Sequence, residues 1–241
     1  MPVEPGAERA RATWTWWQAL GMYVLAFFAG GFAALPVIGA IDDEGFATIA
    51  ASAAAAVVIV AILLIWLVKA HPTWRRAMGL PPRSWSSELF AGVGWGLALY
   101  PAVVFVIGVI LSLLYRALSG HTVQAPEQIP QDLSTVGVGL TLLYGVVIAP
   151  IGEEFFFRGM LFGPLRDRYG FWIGAVGSGV AFGLIHYIPG PGLDSLLLMT
   201  VMVFTGIGLA WVYQRRGTIV APMVAHMTFN VIGLALIYAL R

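Results

Sequence analysis

Three short stretches place acid–base side chains inside otherwise apolar sequence: Glu153, Glu154 and Arg158 in IGEEFFFRGM, His186 in AFGLIHY, and His226 with Asn230 in AHMTFN. Residues four apart on a helix share a face, so Glu154 meets Arg158 as a favourable ion pair that braces its surroundings. Glu153 lies about 100° further round the helix and is left without that partner. A carboxylate in a poorly solvated place suits a general base, and His186 is the natural neighbour to orient a water with it. His226 and Asn230 again share a face, and two donors side by side can stabilise a developing oxyanion. Each residue taken alone has a plainer account. Either histidine can simply bond a neighbouring helix, Asn230 can join two helices, and Phe155, Phe156, Phe157 and Phe182 can face lipid or pack. Their coincidence in one chain is the reason to read them as one site.

The elements that must position these residues are membrane helices. With 59% hydrophobic and 10% charged residues and a mean hydropathy of +0.86, the chain cannot build a water-facing surface. Crossing a hydrocarbon core takes about 20 apolar helical residues, and seven segments qualify, at roughly 17–40, 45–68, 89–115, 136–163, 171–189, 194–214 and 219–240. The expected fold is therefore all-α, a polytopic transmembrane bundle of about seven helices around a polar site. A cytoplasmic N-terminal arm, 1–16, precedes a single transmembrane domain, 17–241, whose motif-bearing core is 136–232. The first run reads as a retained helix rather than a cleaved signal.

The first three spans and the sixth have no ionisable interior residue, whereas the fourth, fifth and seventh carry the three stretches above. A charge near the bilayer centre costs about 2.5–3.5 kcal/mol on insertion scales, so such residues face one another or a water-filled cavity and mark function. Counted from the start of each span, His186 lies deeper than His226. Tilt, a low-lying fifth span, or a kink at Pro189 or Pro222 must bring them level.

Lys and Arg collect in cytoplasmic loops. Here they lie in the N-terminal arm (Arg9, Arg11) and in alternate loops (Lys69, Arg75, Arg76, Arg83; Arg166, Arg168; Arg215, Arg216), while Asp42, Asp43, Glu44, Glu127, Asp132 and Asp194 mark the others. That predicts a cell-membrane protein with its N-terminus in the cytoplasm and its C-terminus outside. Trp14, Trp16, Trp17, Trp66, Trp74 and Trp85 read as an interfacial aromatic belt. Pro150, three residues before Glu153, is placed to kink its helix and open a cavity, and Gly174, Gly177, Gly179 and Gly183 allow close helix packing.

Thirteen Lys and Arg against twelve Asp and Glu leave no basic patch for nucleic acid. The absence of Cys excludes disulfides, thiolate metal sites and cysteine nucleophiles. The expected partners are the lipid bilayer and a membrane-associated protein or peptide substrate, and nothing in the sequence speaks to oligomeric state.

The three stretches, in this order, resemble the signature of the CPBP (CAAX protease and bacteriocin-processing, also called Abi) family of intramembrane proteases. Its Glu-Glu-x-x-x-Arg motif corresponds to Glu153, Glu154 and Arg158, its Phe-x-x-x-His motif to Phe182 and His186, and its His-x-x-x-Asn motif to His226 and Asn230. The resemblance covers about residues 136–232. It implies endopeptidase activity on a membrane-associated substrate, prenylated or a peptide precursor, with Glu153 and His186 activating water, His226 and Asn230 forming an oxyanion hole, and Glu154 and Arg158 bracing them. Family members have been described both as metal-free glutamate proteases and as metalloproteases. No HExxH is present, so no cofactor is expected, with zinc on Glu153, His186 and His226 as the alternative. Two rival readings remain: a transporter using the Glu, His and Arg residues, and a non-catalytic immunity, chaperone or scaffold protein.

Overall fold

The computed structural model describes residues 10–122, 133–188 and 194–239. Arg9, Glu127, Asp132 and Pro189, invoked above, lie outside them. Six helices are long and apolar enough to cross a membrane: α1 (Trp16–Ala40), α2 (Glu44–Ala70), α3 (Trp85–Ser119), α4 (Thr135–Tyr169), α6 (Asp194–Arg216) and α7 (Val220–Ala239). Between them lies a shorter apolar helix, α5 (Phe171–Leu184). The chain is an integral, multi-pass, all-helical membrane protein, and each of the seven expected segments corresponds to one of these helices.

The fifth span differs from expectation. It ends at Leu184 rather than 189, and His186 sits in the turn that follows. The last backbone bonds already tighten, with His186 N–H donating to the Gly183 carbonyl.

Prolines also reshape α3 and α4. Pro101 opens a wide π-helical stretch, Pro101–Gly108. Pro150 lies between two more, Tyr144–Ile148 and Phe155–Phe162. A proline removes one backbone bond and clashes with the preceding turn, and the helix widens to absorb it. Such widening re-aims the side chains that follow, which here are those of the first motif.

Small residues set the spacing. Gly92 and Gly96 of α3 face α7, where an added Cβ would stand 2.5 Å from Val224 and Thr228 side-chain atoms. Gly179 and Gly183 of α5 meet the Val203 and Met199 carbonyls of α6. These contacts bring backbones together without the side-chain interdigitation that larger residues need.

The arginine-bearing loops gather at one end of the bundle. Thr13 hydrogen-bonds His71, Ile219 N–H donates to the Met78 carbonyl, Arg166 donates to Gln214, and Arg216 pairs with Glu88 at 2.8 Å. The main apolar core lies toward this end and includes Trp14, Met78, Phe155, Phe156, Phe157, Phe162, Tyr213 and Ile219. Trp14 therefore corrects the belt expectation. It is 2% exposed, and its indole N–H donates to the Met160 carbonyl within the π-helical stretch of α4 at 2.9 Å. Phe155, Phe156 and Phe157 are likewise buried and not lipid-facing.

Candidate active site

The first motif stands where α4 changes from a partly exposed helix to a wholly buried one. Every residue from Glu154 to Pro164 is buried, whereas Ile151 is exposed and Glu153 is half-buried. Glu154 and Arg158 form the expected pair, 3.0 Å apart with both side chains almost fully buried. The guanidinium also donates to the Gly206 carbonyl of α6 at 3.1 Å and lies over the Phe182 ring at 4.7 Å. Arg158 thus binds α4 to both α5 and α6, and Gly206 can offer its carbonyl because it packs directly on Gly179.

His226 of α7 completes the cluster. Its Nδ1 lies 3.1 Å from Glu154 Oε1, and its Nε2 lies 3.8 Å from Glu153 Oε2. Since a carboxylate accepts, the Nδ1–H donates to Glu154, leaving Nε2 toward Glu153. Glu153 Oε2 itself has no hydrogen-bond partner. A buried carboxylate oxygen without a donor is costly, and such orphans concentrate where a substrate or water completes the set.

His186 is held differently. Its Nδ1 lies 2.8 Å from the Phe182 carbonyl, an acceptor released because the backbone N–H that would have bonded it turns instead to Gly183. The early end of α5 thereby fixes the tautomer, with Nδ1–H donating and Nε2 free to act on another group. The Phe182 ring stands 4.6 Å from the His186 ring and 5.6 Å from the His226 ring. Both imidazoles touch one fully buried phenylalanine. Phe182, expected only to pack or face lipid, is the hub that Arg158 and both histidines touch.

Asn230 lies one turn beyond His226 and donates an amide hydrogen to the Gly145 carbonyl at 2.7 Å. Its other amide hydrogen remains for a ligand.

Glu153, His186, His226 and Asn230 all line one cavity of about 660 Å³. Glu154 and Arg158 stand behind it. Two further lining residues escape sequence reasoning, Tyr23 of α1 and Tyr144 of α4. Both lie within electrostatic reach of the Glu153 carboxylate, and Tyr23 is stacked on Phe156 at 4.0 Å. A tyrosine in an apolar span carries no signal of its own, since its ring is at home among aliphatic neighbours. Among the described residues, no three His, Cys, Asp or Glu side chains are placed to hold a metal ion.

The fold defines a polytopic membrane protein in which Glu153, His186, His226 and Asn230 line one cavity. Residues 135–232 match the family model described as Type II CAAX prenyl endopeptidase Rce1-like, a similarity in line with the CPBP resemblance of the three motifs. Among curated proteins the chain is 30% identical over 137 residues to "Putative membrane peptidase YdiL" of Bacillus subtilis (strain 168), covering 56% of this chain and 52% of that protein. It is 32% identical over 145 residues to an "Uncharacterized 24.3 kDa protein" of Escherichia coli, covering 59% of this chain and 63% of that protein. The chain thus spans between about half and just under two thirds of the length of these relatives. No solved structure matches it.

Proposed function

We propose that this protein is an intramembrane endopeptidase that hydrolyses a peptide bond of a membrane-associated substrate with a glutamate-activated water. The observation that carries this reading is Glu153, half-buried with its Oε2 enclosed and lacking a hydrogen-bond donor, and lining the cavity shared by His186, His226 and Asn230.

Glu153, with His186 Nε2 as a second acceptor, takes a proton from water, and the resulting hydroxide attacks the carbonyl carbon. His226 and Asn230 donate to the oxyanion. With Nδ1–H committed to Glu154, His226 Nε2 donates to the oxyanion when the ring carries both protons. The proton held by Glu153 then passes to the leaving amine as the C–N bond breaks. Glu154 and Arg158 position His226 and take no part in proton transfer.

Two features support this reading over transport. The motif set matches a protease family, and no residue of the arginine-bearing loops lines the cavity, whereas a transport path needs openings at both ends. The N-terminus in the cytoplasm and residence in the cell membrane belong to the same proposal, on the positive-inside distribution.

The test is cleavage of a membrane-tethered reporter peptide library by purified wild type and Glu153→Gln, in detergent and in bilayers. Cleavage by wild type alone is expected. Equal cleavage by both proteins would overturn the assignment of Glu153, and cleavage by neither, with both folded, would favour a non-catalytic binding role.

A further inference from the structure

We infer that Tyr23 of α1 is a positioning residue of the site: in the working centre its phenol O–H donates to the Glu153 carboxylate and holds that base in the orientation that meets water. This rests on the protease reading of the site. It adds a residue from a helix that carries none of the three motifs.

Three observations carry it. Tyr23 stands on the Glu153 side of α4: Phe156 and Phe157 follow Glu153 by three and four residues, so on a helix they lie one turn from it on the same face. The Tyr23 ring is stacked on Phe156 at 4.0 Å, 21° from parallel, and stands 6.0 Å from the Phe157 ring. Tyr23 also lines the same cavity as Glu153, and its phenol is within electrostatic reach of that carboxylate. Finally, Glu153 Oε2 is enclosed and has no donor, with His226 Nε2 still 3.8 Å away. A carboxylate oxygen taken out of water needs a donor, and a tyrosine O–H among apolar neighbours needs an acceptor. Oε2 does not yet receive that bond, but hydrogen bonds of a catalytic centre are often long before substrate binds and tighten with it.

Packing alone accounts for the ring of Tyr23 but not for its oxygen, since a phenylalanine would stack on Phe156 without a hydroxyl to satisfy. Tyr144 is another phenol within reach of Glu153. It belongs to the same helix nine residues earlier, about 13 Å along the axis at helical rise, and side chains of one helix all lean toward its N-terminus rather than toward each other. Tyr23 comes across from a second helix with its ring held by the stack, and is the better placed of the two. A carboxylate has two oxygens, so Glu153 can accept from Tyr23 on one and keep the other for the proton it takes from water.

Two arms test it, and the first needs no catalysis. Fluorotyrosine is placed at position 23 of the full-length protein, and its fluorine resonance is recorded in detergent with Glu153 intact and with Glu153→Gln. Exchanging the carboxylate for an amide is expected to move the resonance by more than its linewidth, whereas Glu44→Gln, at an exposed position, leaves it in place. A resonance that ignores Glu153→Gln overturns the inference. The second arm measures Tyr23→Phe on a reporter that wild type cleaves. Loss of one hydrogen bond to a charged group should lower kcat by about 10–100-fold. KM should stay within about twofold, because the hydroxyl acts through Glu153 and not on substrate. The unfolding midpoint should match wild type, because the ring and its stack remain, and Tyr144→Phe should lose less turnover than Tyr23→Phe. Unchanged kcat, a raised KM at unchanged kcat, a midpoint that falls together with turnover, or a larger loss in Tyr144→Phe would each overturn the assignment. No cleavage by wild type would remove the protease reading and the positioning role with it, while the fluorine arm still decides whether Tyr23 meets Glu153.

Discussion

Glu153 and Glu154 are neighbours in sequence with opposite surroundings. Glu154 is enclosed between Arg158 and His226, while Glu153 keeps an oxygen without a donor. Removing the partner of an enclosed charge costs more than the pair itself contributes, so Arg158→Ala should destabilise the protein by about 3–5 kcal/mol. Unfolding of the purified protein in detergent, compared with Glu153→Gln, measures this. Glu153→Gln is expected to leave stability near wild type while abolishing turnover. Asn230→Ala removes one oxyanion donor and should lower turnover by about 10²–10³-fold, read as kcat on any reporter that wild type cleaves.

At the scale of the element, the site depends on how closely helices approach. Gly96 has Ala225 O within 2.6 Å and Thr228 Cβ within 2.5 Å of where a Cβ would stand, and these residues flank His226 on α7. Gly96→Ala must push α3 and α7 apart, at a cost of about 1–3 kcal/mol for overpacking, and shift His226 from the glutamates. The expected result is a lower unfolding midpoint together with reduced turnover. Gly94 faces open space, so Gly94→Ala should change neither. The short α5 makes the same point from another direction. Its early end frees the Phe182 carbonyl for His186 and so sets the tautomer, which no change within the histidine itself could do.

At the scale of the whole molecule, the bundle is sealed at its arginine-bearing end by aromatic packing, and its polar centre lies at the bottom of a cavity. The donor set within it does not converge on a three-ligand metal site among the described residues. The glutamate-activated water proposed above needs no metal, so activity is expected to survive chelation, with metal content of the active sample well below one per chain. Loss of activity on chelation and its return with zinc would reverse that expectation.

Hydrophobicity and helical spacing are properties of the chain read in order, and they sufficed for the all-helical class, for the six helices of membrane length and for the short list of polar residues gathered at the cavity. The Glu154–Arg158 pair was legible for the same reason, because both partners belong to one helix and four residues fix their relation. What joins different helices was not legible. That His226 donates to Glu154 and faces Glu153, that Phe182 lies between the histidines, that Trp14 anchors α4 from the N-terminal arm, and that Tyr23 reaches the site from α1 all depend on inter-helix approach. In a chain whose helices are apolar all round, periodicity marks no preferred face. The docking of one helix on another is decided instead by small residues, proline-widened turns and a few buried hydrogen bonds, whose partners lie far away in sequence.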